Sequence, residues 1–345
     1  MIAFDLPEAL SATEPPEVRG LARDQVRLLV AGTAFHHASF RDLSHFLEPG
    51  DLVVVNDSST LAAAVDATRP DHAAGPDRQA TIHFATELPD RTWVVEIRPA
   101  KAASGSVSDA ALGERLLLPA GVVVTLLSHY PEPGATRLWR ADVAVEVDLR
   151  SYLERFGRPV TYSYLTGRWP ISAYQTVFAR RAGSAEMPSA ARPFTTELVT
   201  ELVTAGVVVA PLTLHAGLSS PEAGEPPCPE PYRVPASTAR LVNLTREHSG
   251  RVVAVGTTVV RALETVAARD GRVRAGSGWT NLVLGAGRPA RAVDGIITGW
   301  HEPGTSHLEL LEAVAGRDRI TRAYAQAVAE RYLWHEFGDS ALIWH

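Results

Sequence analysis

The chemistry available to this chain sits at a few junctions between apolar runs and polar loops. Val255-Gly256-Thr257-Thr258 carries an apolar run into a helix start. It aims the first helical amides at the carboxyl end of a strand, where open α/β sheets bind ligands. That end suits a carboxylate or a polar nucleoside edge, while the two threonine hydroxyls serve equally well as helix caps. Arg261 and Glu264 follow one turn apart, spaced either to pair on a solvated face or to hold a substrate carboxylate and an amine or hydroxyl. His215 ends the apolar Pro211-Leu212-Thr213-Leu214 and precedes Ala216-Gly217, the position of a general base or of a hydrogen-bonded structural histidine. His301, in Gly299-Trp300-His301-Glu302-Pro303, admits the same two roles. Gly276-Ser277-Gly278-Trp279-Thr280 reads as a compact loop, suited to close backbone approach and stacking on a purine or to an ordinary turn with a core tryptophan.

Other chemistries fail on spacing. His36-His37, His301 and His307 form no HExxH-type arrangement, so no metal is expected. The lone cysteine, Cys228, excludes an internal disulfide framework and a cysteine-based zinc cage, and prolines on both sides suggest a loop residue. There is no Walker loop, and Gly276-Ser277-Gly278 and Gly285-Ala286-Gly287 do not complete a dinucleotide fingerprint. Ser277 lacks the flanks of a nucleophile elbow.

The elements that must position these residues fall into three stretches of a 345-residue chain, 46% hydrophobic and 21% charged, which is long enough for two domains. The first stretch, to about Thr60, contains Asp51-Leu52-Val53-Val54-Val55-Asn56-Asp57, which reads as a buried strand. Between Leu61 and Val147 come short β-like pieces: Ala80–Ala85, Thr92–Ile97, Arg115–Leu118, Val122–Leu127, Thr136–Trp139 and Val143–Val147. Their turn signals suggest a small antiparallel sheet or barrel. From Asp148 onward helices alternate with short apolar strands, which predicts parallel α/β architecture. The helices are expected at Thr196–Thr204, Ala236–His248, Gly256 to about Ala268, Ser306–Val314 and Asp318–Tyr332. The fold class is therefore α/β, a discontinuous domain of residues 1–60 and 148–345 with a β domain of residues 61–147 inserted.

Charge and hydropathy set the surroundings. No apolar stretch approaches the roughly 18 residues that cross a bilayer, and Met1-Ile2-Ala3-Phe4-Asp5-Leu6-Pro7-Glu8 does not read as a secretory signal. A cytoplasmic location without membrane partners is expected. With 33 basic and 39 acidic residues the net charge is -6, so no global field draws in nucleic acid. Lys101 is the single lysine, which leaves phosphate contacts largely to arginine.

Taken in order, the segments resemble the S-adenosylmethionine:tRNA ribosyltransferase-isomerase family of queuosine biosynthesis. The resemblance runs through Phe4-Asp5-Leu6-Pro7, Phe40-Arg41-Asp42-Leu43, the run from Pro49 to Asp57, and Tyr174-Gln175-Thr176-Val177-Phe178-Ala179. It continues through Thr213-Leu214-His215-Ala216-Gly217-Leu218, Val255-Gly256-Thr257-Thr258 with Arg261, Leu263 and Glu264, and Ala275 to Thr280. It closes with Ala315-Gly316-Arg317 and Phe337-Gly338-Asp339-Ser340-Ala341-Leu342-Ile343. It implies an α/β domain with an inserted β-barrel and no permanently bound cofactor. S-Adenosylmethionine would be the co-substrate, with its ribosyl group passing to an aminomethyl-deazaguanine in tRNA. His215 or His301 would be the base or proton relay, with Glu264 in the catalytic set. Asn56, Asp57, Thr257, Thr258, Arg261, Gly276, Ser277, Gly278 and Trp279 would bind S-adenosylmethionine, and Tyr174, Gln175, Phe194 and Thr195 the acceptor.

The sequence also departs from the family pattern. A motif with glycine and histidine appears here as Pro188-Ser189-Ala190-Ala191-Arg192-Pro193-Phe194-Thr195. Other altered segments are Gly217-Leu218-Ser219-Ser220-Pro221, Pro226-Pro227-Cys228-Pro229-Glu230-Pro231-Tyr232, Tyr162-Ser163-Tyr164-Leu165 and Gly299-Trp300-His301-Glu302-Pro303. These changes fall in loops and imply a divergent member or paralogue. Three readings stay open: the queuosine reaction itself, a relative that cleaves S-adenosylmethionine or uses a non-tRNA acceptor, and a binding protein without chemistry.

Overall fold

A computed structural model of the chain describes residues 2, 4–71, 78–100, 105–131, 135–219 and 227–345. Lys101, Ser220, Pro221 and Pro226, singled out above, lie outside the described residues. Among the described residues seventeen strands are numbered in chain order. They are β1 (Arg27–Ala31), β2 (Phe35–Ser39), β3 (Leu52–Asn56), β4 (Ser58–Thr60), β5 (Ala64–Thr68) and β6 (Gln79–Glu87). Next come β7 (Trp93–Pro99), β8 (Arg115–Leu117), β9 (Val123–Tyr130), β10 (Leu138–Ala144), β11 (Arg181–Ser184) and β12 (Val208–Leu214). The last are β13 (Glu230–Val234), β14 (Val252–Val255), β15 (Gly276–Thr280), β16 (Gly295–Gly299) and β17 (Ser340–Trp344). The α-helices are α1 (Leu149–Phe156), α2 (Thr196–Thr204), α3 (Ala236–Glu247), α4 (Thr257–Val266), α5 (Ser306–Ala315) and α6 (Arg317–Ala329).

Among the described residues the large sheet has the order β15-β13-β12-β3-β14-β16-β17-β1-β2. Strand β3 lies at its heart, and every residue of it is buried. Its unbroken Leu-Val-Val-Val run is what a strand covered on both faces requires. Leu52 and Val54 point into one core and Val53 and Val55 into the other, so the alternation of the pleat divides one run between two layers. Parallel pairing joins β12, β3, β14 and β16, which brings their carboxyl ends to one edge. The expectation of a parallel sheet holds for this centre and for the β1–β17 pair. Strand β17 runs antiparallel to β16, and β13 and β15 add antiparallel strands at the far side.

The segment between β4 and α1 forms a closed, wholly antiparallel barrel of order β10-β7-β6-β5-β8-β9. Its core is separate, built on residues such as Val65, Ile82, Phe84, Val95, Leu116 and Val124. The two pieces read as Thr136–Trp139 and Val143–Val147 are one strand, β10, whose polar interior Arg140-Ala141-Asp142 looks like a turn but pairs with β9 through a bulge. The sequence pattern does not distinguish strands β1, β2, β4, β5, β11, β13, β15, β16 and β17. No helix among the described residues is long and apolar enough to cross a membrane.

Candidate active site

At the carboxyl ends of β12, β14 and β16 the sheet opens on a cavity of about 480 Å³. The sheet side contributes Gly256, Thr257, Thr258, Arg261, Thr298 and His301, and the barrel contributes Arg98 and Arg137. The remaining wall comes from loops carrying Tyr162, Tyr164, Tyr174, Glu186, His335 and Glu336. The volume falls within the range of about 300–1,000 Å³ that takes a nucleoside-sized ligand.

The β14–α4 junction is built as the sequence predicts. Gly256 has φ +88°, a conformation that favours glycine, and it turns the chain from β14 into α4 so that Thr257 and Thr258 open the helix at the cavity. Neither threonine caps it, because the N-cap is Gly256 and no side-chain cap bond forms. Arg261 lines the cavity but is 6% exposed, and it pairs with Glu230 instead of Glu264. It also donates to the carbonyls of Leu282 and Thr280. Glu264 lies away from the cavity, 1% exposed, accepting the amides of Arg291 and Ala292 at 2.7 Å each. Burial raises its pKa despite those two bonds. A carboxylate whose Oε1 is so occupied closes a turn, and its side chain does not line the cavity.

The other sheet-edge residues named from the sequence are similarly committed. Asn56 is wholly buried and clamps β12 to β3, donating to the Leu214 carbonyl and accepting the amides of Ser58 and Leu214. Asp57 accepts from Thr213 at 2.6 Å and from Arg181 at 3.1 Å. Gln175 pairs through both ends of its amide with the backbone of Thr60. Phe194 is core, edge-on to Phe40, and Thr195 is the N-cap of α2. None of these five lines the cavity. Gly276, Ser277, Gly278 and Trp279 are corrected in kind as well as place. They form strand β15, paired with β13, and stand outside the cavity lining.

The two histidines separate. His215 continues from β12 with Nδ1 at 2.7 Å from Ser58 Oγ, its ring lying on β11, where a Cβ at Gly183 would stand 2.5 Å from Nδ1. It does not line the cavity. Burial first, then the charges of Arg150 and Arg181, push it down to about 4 against the pull of Asp57. His301 does line the cavity, with Nε2 at 3.1 Å from Thr298 Oγ1 and its ring stacked on His307 at 4.4 Å. Burial, with His307 and His335 nearby, holds it well below the usual imidazole range. His307 is pushed down to about 4 by burial and by Arg261. Both rings are therefore neutral near pH 7.

The sequence reading did not assign the loop wall, apart from Tyr174, or the barrel arginines. Glu336 is pushed up to about 7 by burial, opposed by the donated hydroxyl of Tyr164. His335 stacks on Tyr164 at 3.9 Å and is pushed down to about 4 by burial. On the barrel side Arg98 and Arg137 approach the fully buried Glu96 at 3.0 and 3.5 Å. Burial opposes the ionisation of Glu96, but His83, Arg98 and Arg137 overcome it and hold its carboxyl below the usual range. One signal was present in the sequence: His335-Glu336 is a polar pair set between Trp334 and Phe337, both of which are buried.

Comparison with known proteins gives a consistent picture. The family described as "Queuosine biosynthesis protein" matches residues 1–343. An S-adenosylmethionine:tRNA ribosyltransferase-isomerase of Symbiobacterium thermophilum is 36% identical, covering 99% of this chain and 98% of its own. One of Thermus thermophilus is 35% identical over 99% and 97%. The crystal structure of S-adenosylmethionine tRNA ribosyltransferase from Thermotoga maritima is similar over 99% of both chains, with 28% identity and a TM-score of 0.53.

Proposed function

Because the chain belongs to the queuosine biosynthesis protein family, we propose that it transfers and isomerises the ribosyl group of S-adenosylmethionine onto the amine of 7-aminomethyl-7-deazaguanine in tRNA, releasing adenine and methionine. The observation that carries this reading is the cavity between the sheet edge and the barrel, where neutral imidazoles, a helix start and buried carboxylates converge. The division into residues 1–60 and 148–345 with an inserted barrel of 61–147 assigns the walls of that cavity to both units.

The co-substrate defines what the residues must do. The positive sulfur acidifies the hydrogens on C5′ and makes methionine a good leaving group, so a base beside C5′ is needed. His301 fills that role better than His215, since it faces the cavity and its neutral ring is steadied by Thr298 and His307. Thr257, Thr258 and the first amides of α4 suit the methionine carboxylate or the ribose. Arg261 fixes Glu230 and the β15 carbonyl at the back of this wall. Tyr174 lines the same cavity, which supports the acceptor-binding role given to it.

The test is mass spectrometry of purified protein incubated with S-adenosylmethionine, with and without tRNA bearing the aminomethyl-deazaguanine. The expected result is adenine and methionine release that requires the RNA, with a ribosyl mass gain on it. Release without RNA would replace the acceptor with another, and binding without release in either tube would refute the catalytic reading.

A further inference from the structure

The loop wall of the cavity carries two carboxylates in an unusual condition. Glu186 accepts the hydroxyl of Tyr162 together with the amide and hydroxyl of Ser219, and Glu336 accepts the hydroxyl of Tyr164. Among the described residues neither forms an ion pair, whereas Glu230 in the same cavity is matched by Arg261. The rings around them are aromatic and parallel: Tyr162 and Tyr164 stack at 5.9 Å, and Tyr164 and His335 at 3.9 Å. A third phenol supplies an independent observation. Tyr174 is 3% exposed and lines this cavity, and its hydroxyl has no hydrogen-bond partner. Its ring lies 5.2 Å from that of Phe337, the residue after Glu336, and both Tyr174 and Glu336 border the cavity. Burial first, and the charge of Glu336 second, push the phenol up, against the pull of Arg192.

A half-buried carboxylate with tyrosine donors but no ion-paired cation is costly when ionised. Two of them beside aromatic faces complement an organic cation, because carboxylates and ring faces both attract positive charge. The arginines whose charge reaches this group are paired elsewhere: Arg98, which acts on Tyr162, with Glu96, and Arg192, which acts on Glu336 and Tyr174, with Glu17.

We propose that Glu186, Glu336 and the hydroxyl of Tyr174 form a cation subsite, which receives either the primary ammonium of an amine acceptor or the sulfonium of S-adenosylmethionine. The inference rests on the reading of this cavity as the reaction site, and it assigns positively charged groups to the loop wall.

Calorimetric titration of the full-length chain tests it with two matched pairs of probes. One pair is S-adenosylmethionine and S-adenosylhomocysteine, which lacks the sulfonium; the other is 7-aminomethyl-7-deazaguanine and its 7-methyl analogue, which lacks the amine. Glu186→Gln, Glu336→Gln and Tyr174→Phe are compared with the wild type, with circular dichroism confirming that each is folded. The carboxamide variants should weaken the cationic member of one pair by about tenfold or more and leave its neutral counterpart within about twofold. The pair that responds identifies the source of the charge. Equal losses within both pairs, no loss in either, or a wild type that holds neither cation more tightly than its neutral counterpart would overturn the subsite. Adenine release is measured in parallel on the wild type. Release with unselective binding removes the subsite alone, whereas selective binding without release removes the reaction and keeps the subsite.

Discussion

The sheet edge and the loop wall of the cavity use the same residue types to opposite ends. Glu264 at the sheet is nearly inaccessible, with one oxygen accepting two backbone amides. Glu336 in the loop wall has one tyrosine donor and faces open volume. His215 is held by Ser58 outside the cavity, while His301 lies inside it. Burial alone does not mark a site. A buried polar group whose bonding capacity is spent within the chain is architecture, and one whose capacity is left over toward a cavity is available to a ligand.

Acid should give the largest effect, by loading charge on rings in both regions at once. His215, His307 and His335 are held at about 4 in the folded chain, against about 6.5 when unfolded. The unfolded chain therefore binds more protons between these values, and stability is lost as pH falls from about 6.5 toward 4. Glu336 acts in the opposite sense, since its raised pKa of about 7 makes it cost stability as pH climbs from about 4.5 to 7. Glu230, Glu264 and Asp339, whose carboxyls burial also raises, act with Glu336, while His301 and the lowered Glu17 and Glu96 act with the three histidines. Thermal unfolding at pH 4.5 should fall about 10 °C or more below that at pH 7, and a flat profile would break the assignment of neutral buried imidazoles.

Substitution at single sites sharpens the comparison. Glu264→Ala leaves two buried amides without a partner and should cost about 2–4 kcal/mol in denaturant unfolding. Its folded fraction should still bind S-adenosylmethionine within about twofold of wild type. Loss of binding with unchanged stability would return Glu264 to the site. His301→Ala should lower adenine release about a hundredfold, or about 2.7 kcal/mol of barrier, at nearly unchanged stability. His215→Ala should do the reverse, releasing adenine but unfolding at lower temperature, and equal turnover in both variants would dismiss His301 as base. Thr195→Ala, at the N-cap of α2, should cost about 1 kcal/mol and leave turnover untouched.

The centre of the fold was legible because local pattern and final environment agree. The apolar run Leu52–Val55 could only be a strand covered on both faces, and the helix periods of α2 through α6 needed no partner to be read. On its own pattern Gly276–Thr280 reads as a compact loop, because its glycines suit close backbone approach. It is a strand because β13, distant in the sequence, supplies its pairing. Glu264 looked available for the same reason, since the turn at Arg291–Ala292 that occupies it is not visible on the helix itself. Most of the loop wall was hidden. Tyr162, Glu186 and Glu336 come from three separate segments, and nothing in their spacing tells that the barrel connection and the chain end meet at one cavity.

The most direct measurement is amide hydrogen exchange of the full chain with and without S-adenosylmethionine. Protection is expected at residues 160–164, 186–190, 256–258, 298–307 and 335–336, which border the cavity, and not at the β15 strand, Gly276–Thr280. Protection concentrated on Gly276–Thr280 and absent from the loop wall would contradict the placement of the reaction in this cavity.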